Sequence, residues 1–307
     1  MGAIIDVILP VFGMVALGYA ATFTAVFDAA AARGLANFVF YFALPASLFQ
    51  AMATITLPGT PPVGFLLSYY LSTALMFVPA FLMFSGPMDR QAMLGFGSAF
   101  SNTVLLGAPL VITALGPEAS LPIFLIISFH SAVFFSLLTL LIEGARGAGS
   151  QLWRLPIKLA RALATNLFLV TIIAGLAFTW AGLKLPTALD KGLGFLAQAA
   201  LPGALFSMGA ALRRYKLTGA MGTAARMSAV KLVLHPLTVW LAVWLFGVEG
   251  IWAKTAILCA GMPMGVNSYL FAVRYQVVEA ETATAILMSN ILAFGSLAVI
   301  LHLIGVG

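Results

Sequence analysis

Apolar runs of about 20 residues, separated by short polar turns, recur from one end of the chain to the other. A bilayer core about 30 Å thick demands that length of a helix rising about 1.5 Å per residue. The pattern predicts ten spans, running roughly from Ile4 to Phe23, Gly34 to Ala53, Val63 to Phe84, Ala92 to Leu115, Leu121 to Ile142, Asn166 to Leu183, Gly192 to Leu212, Ser228 to Phe246, Lys254 to Val273 and Thr282 to Ile304. Two of them are interrupted. The ninth contains Gly261-Met262-Pro263-Met264-Gly265-Val266-Asn267-Ser268, and the fourth contains Phe100-Ser101-Asn102-Thr103-Val104-Leu105-Leu106-Gly107-Ala108-Pro109-Leu110. Proline removes a backbone donor and clashes with the preceding turn, and the peptide groups it frees need partners that lipid cannot supply. Both breaks are therefore expected to be buried or to face a wet cavity.

The two halves resemble each other. Gly34-Leu35 followed by Leu44-Pro45-Ala46-Ser47-Leu48-Phe49 recurs as Gly192-Leu193 followed by Leu201-Pro202-Gly203-Ala204-Leu205-Phe206. These copies lie in the second and seventh spans, and an odd offset of five reverses the direction of the second copy in the membrane. An inverted repeat of five plus five spans follows, with residues 1–150 as the first unit and 151–307 as the second. Many secondary transporters are built this way, and a matching pair of interrupted segments in the two halves points to a substrate site near the membrane midplane.

Composition fits an all-α integral membrane protein: 62% hydrophobic, 8% charged, mean hydropathy +1.09, where soluble chains carry about 25% charged residues. The net charge of +6 does not form a nucleic-acid-binding stripe, because the basic residues are scattered through short loops. Eleven of the 15 Lys and Arg residues fall in odd-numbered loops, three at even loops or outer ends, and Lys231 lies inside the eighth span. By the positive-inside rule the odd loops face the cytoplasm and both termini face outward. The longest loop, from Glu143 to Thr165, contains Trp153, Arg154, Lys158 and Arg161 and reads either as an interfacial helix or as a solvated linker. No Lys or Arg precedes the first apolar run, so that run is expected to be retained as a span, and Asp6 stands where a myristoylation signal would need Ser or Thr.

A discontinuous helix presents unpaired amides at the start of its second half, and the helix dipole adds about half a positive charge there. Two such ends meeting from opposite directions make an anion site without Arg or Lys. Asn102 and Asn267, with Thr103 and Ser268 beside them, can donate to a carboxylate or accept from a hydroxyl, whereas Pro109 and Pro263 shape the breaks. The bland alternative is that these side chains only cap freed backbone groups. His130 and Asn290 are polar groups inside the fifth and tenth spans, each a candidate for lining a cavity or for packing; His130 is also a candidate for proton coupling. Lys231 and His235 lie four apart near one end of the eighth span, where the lysine is expected to snorkel to the interface, with a buried ion-site role as the alternative.

No Asp or Glu lies deep in any predicted span. A single cysteine, Cys259, falls short of a metal site. Phosphate-loop, His-Glu-x-x-His and Gly-x-Ser-x-Gly patterns are missing. Neither cofactor nor metal nor enzymatic chemistry is expected.

The segment Ser101 to Leu110 and the segment Met262-Pro263-Met264-Gly265-Val266-Asn267-Ser268-Tyr269-Leu270-Phe271-Ala272 resemble the auxin efflux carrier family, which includes plant PIN-type carriers and bacterial carriers of malonate or malate. Phe38 to Phe49 and Leu205 to Gly209 add to the likeness. The resemblance implies an elevator-type carrier similar to sodium/proton antiporters and bile-acid transporters. It further implies a dimerising scaffold of spans 1, 2, 6 and 7, a moving domain of spans 3–5 and 8–10, and a crossover marked by Asn102, Pro109, Pro263 and Asn267. Ser101 and Asn267 stand where plant carriers have proline, which favours the bacterial type over auxin specificity. The function expected is secondary transport of a small mono- or dicarboxylate across the inner membrane by a homodimer. An anion channel or an aromatic-carboxylate carrier is the alternative, and an intramembrane enzyme or sensor is a third reading.

Overall fold

The computed structural model of the chain describes residues 2–54, 63–146, 155–215 and 220–306, and among these every regular element is helical. In chain order the helices are α1 (Gly2–Ala21), α2 (Ala29–Ala53), α3 (Val63–Met83), α4 (Met88–Ala99), α5 (Thr103–Leu115), α6 (Pro117–Ala145), α7 (Leu155–Ala164), α8 (Leu167–Trp180), α9 (Thr187–Leu212), α10 (Met221–Leu245), α11 (Gly250–Ala260), α12 (Asn267–Tyr275) and α13 (Glu279–Leu303). Seven of them are long and apolar enough to cross a bilayer: α1, α2, α3, α6, α9, α10 and α13. The expected fourth and ninth spans are each divided in two, as α4 with α5 and α11 with α12, with the divisions at the Asn- and Pro-bearing segments. The expected sixth span is the 14-residue helix α8, about 21 Å long and shorter than a typical hydrocarbon core of about 30 Å.

Boundaries differ from the sequence pattern where caps decide them. Helix α2 begins at Ala29, five residues before the expected start at Gly34, because the Asp28 carboxylate accepts from Ala30 N at 2.9 Å and Ala31 N at 2.8 Å. Asn166 caps α8 through Leu169 N at 3.0 Å. The basic linker forms helix α7 with Arg161 in its last turn; Trp153 and Arg154 lie outside the described residues.

Three helices open by one π turn, at Val39–Ala43, Thr103–Gly107 and Val230–Leu234. Each π turn ends two residues before a proline: Pro45, Pro109 and Pro236. A proline ring would strike the carbonyl four residues back and cannot donate to it. That carbonyl lies in the middle of each π turn, where widening to i→i+5 bonding accommodates the proline without breaking the helix.

Packing is closest within two groups. Helix α1 lies along α9, and α2 packs on both α8 and α9. Glycines allow the α1–α9 approach: a side chain at Gly18 would collide with the Phe206 carbonyl, and one at Gly209 with the Val15 carbonyl. Gln50 Nε2 ties α2 to α9 through Asp190 Oδ1 at 2.6 Å. In the second group α10 packs on α3, α11 and α13, and α4 on α3 and α6. Ion pairs join ends of this group, Arg90 to Glu281 at 3.3 Å and Arg146 to Asp89 at 2.9 Å. Outside, large apolar side chains such as Leu9, Leu82, Trp244 and Ile291 are exposed, as lipid-facing positions require.

Candidate functional site

The two broken segments meet. Asn102 N donates to Pro263 O at 2.9 Å and Gly265 N to Phe100 O at 2.9 Å, flanking an antiparallel bridge between Ser101 and Met264. Peptide groups freed by one break are thus satisfied by the other, which is how irregular backbone survives at membrane depth. A third support comes from α13, where Ser289 Oγ accepts from Met264 N at 3.2 Å. Gly265 is required by this contact, since a Cβ there would lie 2.6 Å from the Phe100 ring.

Around this bridge the sequence-selected residues have different roles. The Asn102 side chain is buried; its oxygen caps the turn after it by accepting from Leu105 N at 3.3 Å, and its amide nitrogen reaches Met208 Sδ on α9 at 2.9 Å. Thr103 and Pro109 are buried in α5, and the Pro263 carbonyl accepts the inter-break bond. Asn267, the first residue of α12, is half-buried, and its side chain has no hydrogen-bond partner among the described residues. Ser268 is fully buried with its hydroxyl unpartnered, as is the Ser101 hydroxyl. The backbone amides of Val104, Val266 and Asn267 also find no partner among the described residues. Helices α5 and α12 thus both begin within a few residues of the bridge with donors to spare, and their positive dipole ends add to the same region.

A cleft of about 430 Å³ lies between α1 and α13 and reaches Leu106 in the π turn of α5. Phe12, Val15, Leu106, Asn290 and Phe294 are among its walls. Asn290 also donates to Ile286 O of its own helix at 2.8 Å. His130 is not in that wall but behind the crossover, its ring centroid 4.5 Å from that of Phe100 and its Nδ1 3.4 Å from Tyr69 Oη.

Lys231 departs from the sequence reading. It is wholly buried rather than snorkelling, with Nζ 2.5 Å from Ala260 O, the last residue of α11, and 3.0 Å from His235 Nδ1. The physical reason is the half-helix: its unpaired C-terminal carbonyls and negative dipole end offer the ammonium a partner inside the protein. Sequence reasoning also missed Tyr69, Thr73, Met208 and Ser289. The spacing of Tyr69 and Thr73, four apart like Lys231 and His235, was the signal that could have found the first two.

The family model described as membrane transport protein matches residues 3–301. The chain belongs to this transporter family. A relative in Rhizobium meliloti, named "Putative malonate transporter", is 30% identical over 312 aligned residues that cover 100% of this chain and 98% of the relative. An "Uncharacterized transporter" of Methanothermobacter thermautotrophicus is 24% identical over 95% of each chain. Auxin efflux carrier component 1 of Arabidopsis thaliana is 28% identical over 120 residues, 38% of this chain and 19% of the carrier. The resemblance carried by the two break motifs is therefore one of family membership. The protein is a multi-pass membrane transporter, not an enzyme.

Proposed function

We propose that this transporter is a secondary carrier of a small organic anion, a mono- or dicarboxylate, which binds at the crossover. The observation that carries the reading is the pair of half-helix starts beside the Ser101–Met264 bridge, with unsatisfied amides at Val104, Val266 and Asn267 and a free Asn267 side chain. These donors supply positive potential without a fixed cation, which suits an anion that must also be released. The malonate name of the full-length Rhizobium relative supports a short dicarboxylate. Asn102 holds α5 in place and Asn267 reads the substrate; Thr103 and Ser268 lie beside them, while Pro109 and Pro263 shape the two breaks.

In this reading the ten expected spans form a five-plus-five inverted repeat. The group of α1, α2, α8 and α9 is a scaffold that pairs with a second copy, and α3–α6 with α10–α13 move against it as an elevator. The cleft between α1 and α13 is the seam along which the groups slide. The carrier sits in the inner membrane with both termini outward.

Purified protein in liposomes is tested for uptake and counterflow across a carboxylate panel. Malonate or a close homologue is expected to be taken up saturably, with trans-stimulation. Asn267→Ala is expected to lower uptake at least tenfold without changing the melting temperature, since its side chain supports no fold contact. Undiminished uptake by Asn267→Ala removes the residue from the site, and failure of every carboxylate to compete ends the anion reading.

A further inference from the structure

A hydrogen-bonded run of polar groups lies in the apolar interior behind the crossover, from the Ala260 carbonyl to that of Tyr69. It starts at the Ala260 carbonyl, passes to Lys231 Nζ at 2.5 Å, then to His235 Nδ1 at 3.0 Å, and from His235 Nε2 to Thr73 Oγ1 at 2.9 Å. Thr73 spends its single hydroxyl proton on Tyr69 O at 2.7 Å. It must therefore accept from His235, so Nε2 carries the imidazole proton and Nδ1 presents a lone pair to Lys231. On the next turn of α3, Tyr69 Oη lies 3.4 Å from His130 Nδ1, and the His130 ring packs on Phe100 at the first break. One end of this run thus touches the last residue before the second break, and from the other end the Tyr69 side chain and His130 lead to Phe100 at the first.

An ammonium buried this deeply demands compensation. Among the described residues the carboxylates all stand at helix ends or in loops, none against Lys231. The titratable groups around it are His235 on its own helix, His130 on α6 and Cys259 on α11, with Tyr69 on α3 against the two imidazoles. Helices α4 and α13 pack against the same π turn and carry their charged residues only near their ends. The compensation is the carbonyl end of α11 together with one neutral imidazole. An anion arriving at the crossover adds a negative charge to that compensation.

We propose that Lys231, buttressed by His235, is the proton-binding centre of this carrier. The amine takes one proton from the side on which the substrate anion binds, becoming the ammonium, and returns it when the anion leaves on the other side. Proton and anion then cross together. This rests on the carboxylate-carrier reading above.

The test uses full-length protein in liposomes with an entrapped pH dye and labelled malonate, so that substrate and proton movement are read separately. For the wild type, uptake acidifies the lumen and an inward proton gradient raises initial uptake at least fivefold. Lys231→Met is expected to keep malonate/malonate counterflow while losing both the acidification and the gradient stimulation. If Lys231→Met does not purify as monodisperse protein, Lys231→Arg carries the test, because a guanidinium does not release its proton; counterflow without proton movement is again the expected result. His235→Gln, which preserves the donor and the acceptor, is expected to retain partial stimulation. Wild-type uptake without proton movement, or gradient stimulation that persists in Lys231→Met or Lys231→Arg, overturns the proposal. Absence of any carboxylate uptake by the wild type instead overturns the transport reading and this coupling with it.

Discussion

Replacing Gly265 by Ala probes the crossover with a single methyl group. The new Cβ would lie 2.6 Å from Phe100 Cδ1, 2.8 Å from Cε1 and 3.1 Å from the Ser101 carbonyl oxygen. The ring is hemmed in by its neighbours: it stacks on Phe135 at 5.3 Å and makes tilted contacts with Phe96 at 4.9 Å and His130 at 4.5 Å. Overpacking of this kind costs about 1–3 kcal/mol. If the strain is relieved by parting the two breaks instead, each of the two 2.9 Å bonds between them is lost from a buried site, at about 1–3 kcal/mol apiece. The cheaper route is a small shift at about 2 kcal/mol, which lowers the population of the aligned crossover by about 30-fold. Initial uptake in liposomes is therefore expected to fall by one to two orders of magnitude, with a modest drop in melting temperature in detergent. Gly295→Ala is the control, because a Cβ there meets nothing within 4 Å and the exchange inside a helix stabilises by about 1 kcal/mol. If Gly265→Ala transports within twofold of the wild type and melts unchanged, the crossover is not the rigid element described here.

Asn102→Ala is expected to lower stability as well as uptake, since it removes a cap worth about 1 kcal/mol and frees Met208; thermal melting of this variant beside Asn267→Ala separates the two asparagines. Gly209→Ala forces α1 from α9 and is expected to destabilise the protein by about 1–3 kcal/mol, read as a lower melting temperature and reduced yield of folded protein, whereas Gly222→Ala, with open space around it, is expected to be silent.

The breaks were legible because Asn, Gly and Pro in the middle of an apolar run contradict every local preference of a lipid-facing helix, and such contradictions collect where function overrides propensity. That they pair was legible through the likeness of the two halves, and that they cross through the family resemblance of their motifs. Lys231 was misread because its position near a span end fits snorkelling, and a carbonyl end created by a break in another helix is invisible to a local reading. Tyr69 and Thr73 escaped notice since one aromatic and one small hydroxyl in an apolar run look like ordinary filler. The early start of α2 turned on Asp28, a cap outside the hydrophobic pattern.

Each π turn also fixes the length of the chain around it. The wide turn at Thr103–Gly107 holds one residue more than an α turn would, so deleting any one of its five residues would restore α-helical winding. That deletion would set the Pro109 ring against the carbonyl four residues back, the clash that the wide turn relieves. A segment whose composition looks freely interchangeable is thus intolerant of losing a residue, and the seven-residue interval from Asn102 to Pro109 acts as a ruler for the site.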